Sequence, residues 1–297
     1  MVFALVSIAA PATAFILLAA VGLDLTPNDF ARVRRQPAVV LTGLVAPLVL
    51  LPPLAVALTW LFGSGPEITA SVLLIAACPI GGISTTWSYL ARASTALSVT
   101  LTGLSCMAGF LTIPLVGAGI ALALARPFPL SAPVPVLIAQ VVLLLGLPVA
   151  LGMWMRRRVP GSAERYGPAL RRASFIGIGI VFLLVIAADP GLFAAGLTTT
   201  VPLAAAFVLA SMAAGWLTAV PLTPDRRDRF TLAAEFGTRN IGVAIAIAVT
   251  LLGRVEFARF ATTYALTEIP LMLVAVALFR RQESPARAFW PRRTHFL

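Results

Sequence analysis

Residues 235–240 read "EFGTRN" and stand between "FTLAA" (230–234) and "IGVAIAIAVTLL" (241–252). A carboxylate, a glycine and a guanidinium thus interrupt a stretch otherwise apolar enough to cross a bilayer. A charged side chain at the centre of a membrane helix costs about 2.5–3.5 kcal/mol on translocon scales, so charges kept there need partners. Glycine tolerates backbone that is not helical. The stretch therefore predicts a span broken near its middle.

The rest of the chain puts that break inside a polytopic membrane protein. Of 297 residues, 60% are hydrophobic and 11% charged, and the mean hydropathy is +0.98. Runs such as "PVPVLIAQVVLLLGLPVALGMW" (133–154) lack the polar face that a soluble helix needs. Helices, not barrel strands, are expected, because the segments do not alternate. Nine spans are predicted, at 2–23, 37–63, 67–91, 95–125, 133–155, 172–188, 193–220, 229–253 and 258–281. The N-terminal run has no basic leader region and is read as a retained helix.

The net charge of +11 comes from 22 basic residues, all of them arginine, mostly in short loops. That pattern reads as membrane topology and not as a nucleic-acid surface. Eighteen arginines fall on one side of the nine-span scheme, from Arg32 to Arg293; Arg126, Arg254 and Arg259 fall on the other, and Arg239 stays within a span. The N-terminus is then outside and the C-terminus cytoplasmic, in a bacterial-type inner membrane. One transmembrane domain covers 1–297, and residues 282–297 form a short basic tail suited to anionic lipid, in which His295 has no assigned role. "LTPNDF" (25–30) and "LTPDRRDRF" (222–230) predict helix N-caps at Thr before Pro. Cys78 and Cys106 are assigned to packing.

A second span, 67–91, is also interrupted, by "CPIGG" (78–82) with Ser84, Thr85, Thr86 and Ser88 after it. Pro79 removes a backbone donor and disfavours helix before it. A pair of interrupted helices is the sequence pointer to a transporter built as an inverted repeat, with its binding site at the midplane. Two ordinary kinked helices are the alternative.

At these residues the chain resembles the bile acid:sodium symporter family. The resemblance is carried by "VGLDLTPNDFARVRRQP" (21–37), "CPIGGISTTWSYLARASTALSVTLTGLS" (78–105) and "EFGTRNIGVAIAIA" (235–248). It implies an all-α protein with a panel domain, a core domain and two crossed broken helices, here in a nine-span form. It also implies a sodium site on Ser84, Thr85, Ser98, Thr102 and Glu235, an all-oxygen set suited to a hard cation. A second sodium site of the family falls on Pro47 and Arg239, neither of which can serve. Arg239 is thus expected to stand in for the second ion as counter-ion to Glu235, or to clamp a substrate carboxylate directly. Glu268 is a competing partner for that charge or an interfacial residue. With all three ionised, one negative charge is left over, room for one monovalent cation.

The resemblance implies secondary transport of a small organic anion (bile-acid-like, pantothenate-like or keto-acid-like) by alternating access with one Na+ and no organic cofactor. Substrate is expected against Gly82, Ile83, Ser84, Thr238, Arg239 and Asn240. Proton-coupled or sodium-independent transport or export, using Glu235 or Glu268, is the alternative, and a channel is the alternative outside secondary transport. Enzyme motifs such as HExxH are absent from the sequence, so no catalytic residue is assigned. The partners are the bilayer and the anion, without nucleic acid; monomer and homodimer both stay open.

Overall fold

The computed structural model describes residues 2–25, 34–123, 139, 142–253 and 255–283. The cap expected at "LTPNDF", Arg126, Arg254, the start of the fifth span and the tail with His295 lie outside them. Among the described residues the chain is helical, and its one β-type pairing is an isolated antiparallel bridge between Ile80 and Arg239. The helices are α1 (Val2–Asp24), α2 (Pro37–Leu61), α3 (Pro66–Ala77), α4 (Ser84–Leu90) and α5 (Thr95–Ala123). After a π-helical turn at Val142–Gly146 come α6 (Leu147–Arg158), α7 (Pro160–Ala188), α8 (Pro190–Ala219), α9 (Arg226–Gly237), α10 (Ile241–Thr250) and α11 (Val255–Glu283). Five of them, α1, α2, α7, α8 and α11, are long and apolar enough to span a bilayer; α3, α10 and part of α5 are shorter apolar helices.

Proline opens α2, α3, α7 and α8, where its missing N–H costs nothing. It is also carried inside helices: α2 holds Pro47, Pro52 and Pro53 and remains one helix of 25 residues. Proline alone therefore does not explain the break after Ala77. α7 begins at Pro160, well before the expected 172, because the segment with Arg165, Arg171 and Arg172 continues the helix beyond its apolar part. Hydropathy marks the lipid-facing length, not the end of the helix. The N-cap of α9 is Asp225, whose carboxylate accepts from Arg227 N at 2.8 Å, and not Thr223. Thr223 instead accepts from Asp225 N at 3.2 Å, an ST-turn that leads into the cap.

Helices α1, α6 and α7 pack on one another; α8 packs on α2, α9 and α11; and α11 reaches α3 and α10. Two broken elements cross between these groups. α3 stops at Cys78, which is extended (φ −64°, ψ 150°), and α9 stops at Thr238, also extended (φ −115°, ψ 105°). The extended strands pair: Gly81 N donates to Thr238 O at 3.1 Å and Asn240 N donates to Pro79 O at 2.8 Å.

Gly81 is required by this approach. A Cβ there would lie 2.7 Å from the Arg239 carbonyl oxygen, whereas at Gly82 the nearest atom is Val21 Cγ2 at 3.6 Å. Gly81→Ala is expected to destabilise the detergent-purified protein by about 1–3 kcal/mol, the usual range for overpacking. Gly82→Ala is expected to stay near wild type in the same melting series, and equal losses would show that the strand pairing does not demand the glycine.

Candidate functional site

In a bilayer core every backbone group freed by a break must be satisfied by the protein. The Ile80 N–H donates to Ser105 Oγ at 3.0 Å, and the Ile80 carbonyl faces Cys106 Sγ at 3.8 Å. The last carbonyl of α9, Gly237 O, accepts from Tyr264 Oη at 2.7 Å. The carbonyls of Ala76 and Cys78, at the end of α3, accept from Arg239 Nη2. Asn240 caps α10, its Oδ1 accepting from Val243 N at 3.1 Å.

Arg239 therefore does something the sequence did not show. Its guanidinium sits at the carboxyl end of a half-helix, where unpaired carbonyls concentrate negative potential. It is 2% exposed, and its Nε and Nη1 have no hydrogen-bond partner. No ion pair within 4.0 Å joins Arg239 to Glu235. The glycine between them ends the helix before an i, i+4 contact can form.

Glu235 has a different environment. Fully buried on α9, it accepts from Ser98 Oγ through Oε1 and from Thr102 Oγ1 at 3.1 Å through Oε2. Ser84 Oγ lies 3.0 Å from Thr102 Oγ1, and Ser98 Oγ is 3.2 Å from Thr85 Oγ1. The structure thus gathers all five of Ser84, Thr85, Ser98, Thr102 and Glu235 from α4, α5 and α9. Four hydroxyl oxygens and a carboxylate make a hard donor set that fits sodium and would not suit a soft metal.

Beside the crossing lies a cavity of about 280 Å³. On the break side it is lined by Gly81, Gly82, Ile83, Arg239 and Asn240, and on the opposite side by Leu17 of α1 with Phe175, Ile178 and Phe182 of α7. Glu268, on α11, also faces it. Of the expected substrate residues, Gly82, Ile83, Arg239 and Asn240 line this space. Ser84 and Thr238 do not; Ser84 turns into the Glu235 cluster. Glu268 is 2% exposed and lies in the interior of α11, away from its ends.

A model of the sodium bile acid symporter family matches residues 11–195. The chain belongs to that family. Similar proteins include a sodium-dependent transporter of Bacillus subtilis, itself described as uncharacterized, at 28% identity over 78% of this chain and 71% of the relative. A rice protein described as "Probable sodium/metabolite cotransporter BASS2, chloroplastic" is 27% identical over 78% of this chain and 54% of its own length. The sodium-dependent organic anion transporter of the rat is 27% identical over 86% of this chain and 70% of the relative. This chain is accordingly a multi-pass membrane protein of a sodium-dependent transporter family.

Within that family membership, several residues at the site had no signal in the sequence. Phe175, Ile178 and Phe182 lie on one face of α7, but they are apolar residues among apolar residues. Tyr264 and Ser105 could have been found by asking what satisfies the backbone freed at each break. Replacing Tyr264 by Phe leaves the buried Gly237 carbonyl without its donor, so a loss of about 1–3 kcal/mol is expected. A melting curve of Tyr264→Phe indistinguishable from wild type would mean that the carbonyl finds another donor.

Proposed function

We propose that this chain moves a small organic anion across the inner membrane by alternating access, coupled to one sodium ion. The observation that carries the reading is the five-oxygen cluster around Glu235, built at the crossing of two broken helices and beside a cavity. The sodium-dependent relatives support sodium over a proton as the coupling ion. In this reading the ion replaces the hydroxyl contacts that now satisfy Glu235, and its binding ties α4, α5 and α9 together.

Helices α1, α6 and α7 act as the panel and the remaining helices as the core, related internally as an inverted repeat. The cavity lies between them, which is where relative movement changes its exposure. Arg239 serves as a tethered cation at the end of α3: it supplies permanently the charge that a second, dissociable ion would bring. One sodium per cycle follows. The arginine distribution supports an N-terminus outside and a C-terminus in the cytoplasm.

The test needs no knowledge of the substrate. A ligand that binds only the folded state stabilises it by RT ln(1 + [L]/Kd). Melting temperature is measured against NaCl at constant ionic strength, with choline chloride as the balance. A saturable, sodium-specific rise that Glu235→Gln abolishes is expected. A flat response in a folded wild-type protein would remove the sodium site as drawn.

A further inference from the structure

The cavity wall holds a guanidinium and a carboxyl group that do not pair with each other directly. Arg239 and Glu268 both line it, both are 2% exposed, and they form no ion pair within 4.0 Å. Their free valences also differ in kind. Arg239 Nε and Nη1 and Asn240 Nδ2 are buried donors without acceptors. Glu268 accepts from Trp87 Nε1 at a long 3.4 Å, with the Thr238 hydroxyl also beside it. A molecule filling this space meets donors at the break and a carboxylate on α11, with apolar Leu17, Ile83, Phe175, Ile178 and Ile269 between and around them.

We propose that the carried carboxylate also bears an ammonium group: the substrate is a small aminocarboxylate, held by its carboxylate at Asn240 and Arg239 and by its ammonium at Glu268. This rests on the transport reading above and narrows its organic anion to a carboxylate whose charge is balanced by an ammonium on the same molecule. Charge accounting supports it. With sodium at Glu235 and Glu268 ionised opposite the ligand's ammonium, Arg239 and Glu268 sum to zero, so a zwitterion leaves the occupied site neutral. A simple monoanion leaves one net negative charge in a buried, low-dielectric space and places no cation opposite Glu268, which is costly there. The cavity, about 280 Å³, has room for a short or medium chain. One sodium with a zwitterion also moves one positive charge per cycle, whereas one sodium with a monoanion moves none.

The test uses the purified full-length chain in saturating sodium. Two series of graded chain length are compared by calorimetry: α- and ω-aminocarboxylates, and the carboxylates with the same carbon skeletons that lack the amine. Wild type is expected to bind at least one aminocarboxylate about tenfold or more tighter than its amine-free partner, because the site's buried acceptor is otherwise left unpaired. Glu268→Gln is expected to lose most of that preference, and Glu268→Asp to keep it. The wild-type comparison stands by itself if the variants do not fold.

Equal or tighter binding of the amine-free acids would overturn the proposal. So would binding of plain carboxylates with uptake of a proton, read as a pH change in weak buffer, since Glu268 would then be a proton carrier. Absence of binding by both series would overturn the size and charge assigned to the occupant. A sodium response without amine preference leaves sodium coupling standing and removes this inference; amine preference without a sodium response keeps the ligand class and removes the sodium coupling.

Discussion

Everything at the centre of this molecule follows from one constraint: two helices stop inside the buried, apolar interior, and the backbone groups freed there have no water to bond. The solution is mutual. The extended residues after Cys78 and after Gly237 pair with each other, which fixes how the two elements cross. Side chains from α5 and α11 take the remaining groups, through Ser105, Cys106 and Tyr264. Arg239 takes the carbonyls at the end of α3. The Glu235 cluster and the cavity sit where they do because this pairing holds Gly82 to Ser84 against Thr238 to Asn240.

The charges are held by three separate devices. Glu235 is surrounded by hydroxyls, Arg239 by carbonyls, and Glu268 by an indole N–H at long range. Dipoles of neutral groups stabilise each charge without cancelling it. A direct Glu235–Arg239 salt bridge would have been the cheaper arrangement for a rigid protein, since each partner would answer the other's desolvation. Keeping them apart leaves each charge available to something that arrives and departs, which is what a carrier requires.

Much of this was legible in the sequence, for definable reasons. Both breaks showed as polar and glycine interruptions in apolar runs, and the five oxygens of the cluster followed from resemblance and are found together. Arg239 was harder. Its spacing from Glu235 invited a local ion pair, and only the three-dimensional crossing reveals that carbonyls of another helix, more than 160 residues away in the chain, are its partners. The wall contributed by α1 and α7 left no trace at all, because hydropathy cannot tell lipid-facing phenylalanine from cavity-facing phenylalanine. Helix ends were misjudged for a related reason: the arginines that mark the membrane surface at 165–172 lie within α7, not beyond it.

In the proposed cycle the placement of Glu268 connects ion number to cargo. Glu235 and Arg239 sum to zero in the empty site, and an ionised Glu268 across the cavity leaves one negative charge, which one bound sodium ion would balance. In the sodium-loaded site Arg239 and Glu268 then cancel in sum without touching, so both groups stay open to a ligand. Their sum would set the net charge that the cargo must have, and their separation would set which molecules can bridge them.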